Sequence, residues 1–428
     1  MKMDSASPAN CFCAPFALRR LAAAGGAMAL VFFGLCGTGC RTTATRQISD
    51  PAPAVARLRA GGGVRAESDA LVKPLLASGE VFGMVVGVVT PDGATQSFSY
   101  GRSGRAGDTN APGPDDLFQI GSVSKLFTET LLMQLEAEGQ ISDDATVRDI
   151  LPASLVVTPE AGRLTVHQLA THTGGLPREP KTLRQLGCFL GYLVTGNNLY
   201  ACLTIPYLQE YLRHARPRPK SPPAYVYSNL GAGLLGYLIA EKTGRPATDL
   251  IVEKICRPLR MNDSVFFPNA EQQSRLAVGH VGSQACWKPG NCPLAPWDMG
   301  DLLRPSIGMY SSVSDLLIFA RANLGMLHLP VESALAATHR PQIQTPRGGE
   351  ALGWIINYFD NGRRVLTFKD GMASGYRAYV GLDLDARVAV VVLSNKFSWD
   401  EKVGHNLLLR LAEARAGAAA KAARITGS

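Results

Sequence analysis

Residues 120–128 read Ile120-Gly121-Ser122-Val123-Ser124-Lys125-Leu126-Phe127-Thr128, and what Ser122 and Lys125 do decides how the rest of the chain is read. Phe118-Gln119-Ile120-Gly121 leads into Ser122. Lys125 to Glu138 has helical composition, with Leu126, Leu131, Leu132 and Leu135 apolar, and Gly139 closes the run. A serine hydroxyl is a weak nucleophile at neutral pH and needs a neighbouring base. Residues three apart share a helix face, so the Lys125 amine can reach the Ser122 hydroxyl. Backbone N–H groups at a helix N-terminus point toward the same place. Yet a Ser and a Lys at this spacing also arise by chance about once or twice in a chain this long, as two surface side chains on an amphipathic helix. The remainder of the chain has to separate these readings.

Two further stretches bear on it. Tyr227-Ser228-Asn229 lies between the Pro-rich 217–223 stretch and an apolar run beginning at Gly231. A tyrosine beside an ammonium ionises more readily and can move a proton, and an Asn amide can hold a substrate carbonyl. Alone, the same three residues read as a loop whose Ser228 or Asn229 caps a helix. Lys369-Asp370-Gly371 ends a strand predicted over Arg364–Phe368. A cation there can bind a substrate carboxylate, and Gly371 lets substrate approach the strand edge. Alone, it is a strand terminus and a turn.

In this order and spacing, the three stretches resemble the active-site motifs of class C β-lactamases and related penicillin-binding proteins. Leu169-Ala170-Thr171-His172-Thr173-Gly174-Gly175-Leu176-Pro177-Arg178-Glu179 is similar to the family's His-Thr-Ser-Gly-Leu-Pro loop. Its Pro-Arg-Glu continuation and the Cys286 region resemble the AmpH-type D-Ala-D-Ala carboxypeptidase/endopeptidases. Leu352-Gly353-Trp354 and Arg257-Pro258-Leu259-Arg260-Met261 also match family segments, and the likeness spans about residues 75–410. The resemblance implies that Ser122 is acylated, that Lys125 and Tyr227 handle the proton, and that Asn229 and Lys369 hold substrate beside Gly371. Backbone N–H groups of Ser122 and Met372 would form the oxyanion hole. One position departs from the pattern: the third motif usually carries Thr or Ser where Asp370 stands. An ionised Asp beside a substrate carboxylate repels it unless the side chain turns away or pairs with Lys369.

Outward from the motifs, Val81–Val89, Pro91-Asp92-Gly93 and Ala94–Tyr100 read as a hairpin. Helices are expected at Leu164–Ala170, Gly231–Lys242 and Ser312–Leu324. Strands are expected at Arg364–Phe368, Tyr376–Leu382 and Arg387–Ser394, then a helix from Ser398 to Ala414. Strands at both ends with helices between them predict an α+β fold of the β-lactamase/transpeptidase kind. An antiparallel sheet from both chain ends is flanked by helices, and a helical subdomain is inserted at roughly 125–320. The hydrolase domain is expected at 67–415, followed by a disordered tail over 416–428.

The first 40 residues read as a targeting segment. Arg19-Arg20 precedes an apolar run from Leu21 to Leu35, which is short for the roughly 20 residues of a membrane span. Gly37-Thr38-Gly39-Cys40 then looks like a lipoprotein processing site, so lipidation of Cys40 is expected, with a tether over 41–66. Plain cleavage or a retained anchor are the alternatives, because Gly37 replaces the usual large aliphatic residue. A bacterial periplasmic or envelope location follows, with a lipid-anchored contact to the membrane.

The chain has 428 residues, 46% of them hydrophobic, and a formal charge of +8 that falls to +6 without the first 39 residues. No basic run stands out, which argues against nucleic acid. Among nine cysteines, neighbours suggest Cys188–Cys202 and Cys286–Cys292 as disulfides with Cys256 free and buried, although five thiols allow other pairings. With neither CxxC nor HExxH, no metal or other cofactor is expected. The Cys188–Cys202 stretch is apolar, suited to a flap over substrate, a membrane contact or ordinary core. The leading function is a penicillin-binding DD-peptidase of peptidoglycan. A class C-type β-lactamase and a carboxylesterase are the rivals. No GxSxG elbow supports a Ser-His-Asp hydrolase of another fold, and the complete Ser-Lys-Tyr-Asn set argues against an inactive binder.

Overall fold

The computed structural model describes residues 63–426 apart from 196–197, 283–290, 346–347, 360–363 and 399–401, together with Val55 and Leu58. The strands of its main sheet are β1 (Gly83–Val89), β2 (Thr95–Gly101), β3 (Ile343–Thr345), β4 (Gly348–Glu350), β5 (Ile355–Phe359), β6 (Arg364–Ala373), β7 (Tyr376–Asp383) and β8 (Val388–Ser394). Their spatial order is β2-β1-β8-β7-β6-β5-β4-β3, antiparallel throughout. The first hairpin therefore zips directly onto the last strand, with Met84 opposite Ser394 and Val89 opposite Ala389. The sheet is made from both chain ends, as expected.

Both faces are covered, which explains why β1, β7 and β8 are buried along their length. On one face Val86, Val88, Phe368, Tyr379, Val390 and Val392 pack against α1 (Val64–Ala77) and the closing helix Lys402–Thr426. On the other face Val85, Val89, Ala378, Val380, Val391 and Leu393 join the core of the helical insertion. That insertion contains α2 (Ser124–Ala137), α3 (Leu183–Thr195), α4 (Asn229–Thr243), α5 (Gly300–Ile307), α6 (Val313–Asn323) and α7 (Val331–Thr338). Local chemistry sets several of these starts. Thr165 and Gln168 form a reciprocal capping box for Val166–Ala170, and Ser228 and Ser312 cap α4 and α6.

Some boundaries differ from the sequence reading. The tether expected over 41–66 ends earlier, because α1 begins at Val64 and Val55, also helical, is buried. The tail expected to be disordered is helical as far as Thr426, in keeping with the high helix propensity of its alanines. Lys369-Asp370-Gly371 does not terminate its strand but lies within β6, which continues to Ala373. Cys188 and Cys202 are bonded, and Cys256 is buried and free. Cys286, and with it the second expected disulfide, lies outside the described residues, as do the targeting segment and Cys40. No described helix is long and apolar enough to cross a membrane.

Candidate active site

Ser122 sits in a 3₁₀ turn, Gly121–Val123, that runs straight into α2. The turn is jammed against β6, and two glycines make this possible. Gly121 has a φ of +52°, and a Cβ there would lie 2.6 Å from the Met372 nitrogen. A Cβ on Gly371 would lie 2.0 Å from the Ile120 oxygen and 3.0 Å from the Ser122 nitrogen. Only two residues without side chains let these backbones meet. The nucleophile turn therefore lies on the strand that carries the third motif.

One turn after Ser122, Lys125 is fully buried. Its Nζ donates to Ser122 Oγ at 3.3 Å, to Asn229 Oδ1 at 2.9 Å and to the Ser306 carbonyl at 3.3 Å. Ser122 Oγ also shares a 2.6 Å hydrogen bond with Tyr227 OH. Over the Tyr227 ring stand three cations: Lys125 Nζ at 4.9 Å, Lys369 Nζ at 5.1 Å and the Arg178 guanidinium at 5.4 Å from its centroid. Burial, followed by the charges of Lys369 and Arg178, holds the Lys125 ammonium well below the usual lysine range. Glu129, one turn further on, is pushed up to about 8 by burial, against the pull of Lys369 and Lys125. The Lys125 ammonium, lowered in pKa and in hydrogen-bond contact with Ser122 Oγ, is thus placed to exchange a proton with it.

The Tyr-Ser-Asn stretch serves both of its possible readings. Ser228 caps α4, accepting from Gly231 N at 2.8 Å and donating to the Pro177 carbonyl at 2.6 Å. Its neighbours on either side face Ser122 and Lys125. The His172 loop supports them: the His172 carbonyl accepts from Val226 N, and its ring lies 4.8 Å from that of Tyr227. Burial depresses the imidazole, so His172 stays neutral as scaffolding.

Asp370 turns away from the site. In a strand, successive side chains leave on opposite faces, so Lys369 is on the side of Ser122 and Asp370 on the side of α1 and the closing helix. There Asp370 pairs with Arg377 Nη2 at 2.8 Å. Burial pushes its carboxyl up, but Arg377 and Lys369 outweigh this and hold it below the ordinary Asp range. The repulsion expected for a substrate carboxylate therefore does not arise.

All the expected site residues meet: Ser122, Lys125, Tyr227, Asn229, Lys369, Gly371 and the backbone of Met372. The sequence reading gave no role to five others. Glu179 Oε1 accepts from Asn229 Nδ2 at 3.0 Å and from Tyr200 OH at 3.3 Å, with Arg178 Nε 3.4 Å away. This fixes which end of the Asn229 amide faces Lys125. Trp297 exchanges backbone hydrogen bonds with the Gln119 side chain, at 3.0 and 2.7 Å, three residues before Ser122. Glu179 was inside a quoted motif, so its place was visible and its partner was not. Tyr200 and Trp297 carry no local signal.

Comparison with known proteins agrees with this geometry. The profile of the family described as beta-lactamase matches residues 68–414. The D-alanyl-D-alanine-carboxypeptidase/endopeptidase AmpH of Escherichia coli (strain K12) is 28% identical over 69% of this chain and 75% of its own. Penicillin-binding protein 4 of Amycolatopsis lactamdurans is 30% identical over 66% of this chain and 72% of its own. Among solved structures, a class C beta lactamase from Rhodobacter sphaeroides superposes with a TM-score of 0.67 at 26% identity, covering 81% of this chain and 98% of the other.

Proposed function

Because this chain belongs to the beta-lactamase family of serine hydrolases, we propose that it is a penicillin-binding DD-carboxypeptidase/endopeptidase of the bacterial envelope, acting on peptidoglycan stem peptides through an acyl-enzyme on Ser122. The observation that carries this reading is the double contact of Ser122 Oγ, 2.6 Å from Tyr227 OH and 3.3 Å from the Lys125 amine, which burial and the neighbouring cations hold well below the usual lysine range. Ser122 Oγ attacks the amide carbonyl as its proton passes to the Lys125–Tyr227 pair. The developing oxyanion is received by the N–H groups of Ser122 and Met372, each worth about 10²–10³ in rate. The pair returns the proton to the leaving amine, and water then releases the acyl group. Asn229 orients the substrate, and Lys369 attracts its terminal carboxylate. The N-terminal segment fits export with lipidation at Cys40, which would tether the domain to the membrane. No protein partner and no cofactor enter the scheme.

A second reading rests on Asp370. With residue 370 on the face away from Ser122, carboxylate recognition within the third motif falls to Lys369. This favours substrates that lean less on a carboxylate, down to simple acyl esters, over fast turnover of β-lactams by a class C-type lactamase. Incubating the purified protein with a fluorescent penicillin, followed by mass spectrometry over time, separates these readings. A lasting adduct on the Ser122 peptide, absent from Ser122→Ala, supports the peptidase. Rapid penicillin hydrolysis makes it a lactamase. Intact penicillin with turnover of acyl esters makes it an esterase. Label that survives Ser122→Ala removes the nucleophile assignment altogether.

A further inference from the structure

Helix α3 has two faces of opposite character. Its inner face, Gln185, Cys188 and Tyr192, is pinned. Gln185 Nε2 donates to the Leu199 carbonyl at 3.4 Å, Cys188 is bonded to Cys202, and Tyr192 meets the edge of Trp297 at 5.8 Å. Its outer face presents Leu183, Leu186 and Leu190, which are 87%, 37% and 51% exposed. Their i, i+3, i+7 spacing forms one stripe, and the space a Cβ would fill at Gly187 between them is open. Of the seven large apolar side chains exposed among the described residues, these are three.

The charge within the segment that carries the stripe is of one sign. From Pro180 to Thr204 the chain has Lys181 and Arg184 and no acidic residue, and both cations are exposed. Glu179, the acid just before this segment, faces inward to Asn229. An exposed leucine stripe edged by cations is the pattern of a helix that lies in the interface of an anionic bilayer. A second copy of the chain is less well matched. Three leucines fall far short of the roughly 20–30 residues a side of a standard interface, and two such helices would bring like charges together.

We propose that α3 is a membrane-contact element that seats Leu183, Leu186 and Leu190 among the lipids of an anionic bilayer, with Lys181 and Arg184 on the headgroups. The Cys188–Cys202 bond and the Tyr192–Trp297 contact hold the helix to the body of the enzyme, so the membrane meets the whole hydrolase and not a loose arm.

The test uses the full chain with Leu190→p-benzoylphenylalanine, irradiated on vesicles of phosphatidylglycerol and phosphatidylcholine, and lipid adducts are counted by mass spectrometry. The same residue placed at Leu384, an exposed position between β7 and β8, is the control. Because both proteins share the N-terminal segment, any binding through it affects them equally. Adduct at position 190 is expected to exceed that at 384 by about tenfold. It should fall by about tenfold when Leu183→Ser and Leu186→Ser are added, and fall again on phosphatidylcholine alone. Equal yields at 190 and 384, or a yield indifferent to the two serines, overturns the proposal. Crosslinking of position 190 to another protein chain in the absence of lipid overturns it in favour of a second copy. Unchanged melting of the serine variants shows that their effect is not unfolding.

Discussion

Replacing Asp370 by Thr supplies the third motif with the hydroxyl it lacks, and the structure predicts that the substrate will not notice. Residue 370 leaves β6 on the face opposite Ser122, so Asp370→Thr should change the rate of penicillin acylation by less than about twofold. Stability is where the change should register. The Arg377 side chain is 4% exposed and that of Asp370 is 24%, and Arg377 Nε and Nη1 already lack hydrogen-bond partners. Removing the carboxylate leaves a buried guanidinium without an anion. That costs about 3 kcal/mol, at the low end for a broken buried pair because Asp370 keeps some solvent. Adding Arg377→Met removes the stranded charge and should recover about 2 kcal/mol of this as a coupling term. Urea unfolding at several pH values measures it. The Asp370 carboxyl is held below its ordinary value, so the pair's contribution is complete above the unfolded carboxyl's pKa of about 3.9 and is lost as pH falls through the lower folded value. The wild-type and Asp370→Thr curves should therefore converge in acid. A tenfold faster acylation with no loss of stability would refute the claim that this side chain faces away.

The remaining expectations concern the chemistry. Lys369→Met removes the positive charge that, after burial, does most to depress Lys125; the Lys125 pKa then rises, and the acid limb of acylation by a neutral acyl ester should move to higher pH in stopped-flow profiles. Tyr227→Phe removes the partner 2.6 Å from Ser122 Oγ and should slow acylation by about 10²–10⁴, with KM for the same ester little changed. Glu179→Leu frees the Asn229 amide to turn over, and should slow acylation about 10–100-fold, whereas Glu179→Gln, which keeps an acceptor for Nδ2, should restore most of it; equal rates in the two variants would deny Glu179 a positioning role. Gly371→Ala drives a methyl to 2.0 Å from the Ile120 carbonyl, and labelling by penicillin should be lost even where circular dichroism shows a folded protein.

The main sheet strands near the chain ends and the helices α2, α4 and α6 were legible because their signals are local: β-branched runs for β1 and β8, and leucine spacing with a closing glycine for α2. The motif residues were legible because three separate stretches agreed. What escaped was set by partners distant in the chain. Strands β3 and β4 contain three residues each, too few for a period to show, and exist because β5 offers an edge. Helix α1 contains Pro74, which lowers any helix score, yet it forms because Val72 is buried against the sheet. Asp370 looked like an obstacle because its partner, Arg377, is across a hairpin. The register that pairs Asp370 with Tyr379 puts Arg377 diagonally beside it on the same face, which no reading of either residue alone reveals.

The pairing of β1 with β8 has a consequence in time. Ser122 is made early and Lys369 late, and the strand that locks the first hairpin in place is finished only at Ser394. A nascent chain interrupted before that point lacks a closed sheet, and one interrupted before Ala373 also lacks the full strand against which the Gly121 turn is pressed. Contacts between residues this far apart in sequence also make folding slow. Acyl transfer therefore waits for a chain that extends at least to the end of β8.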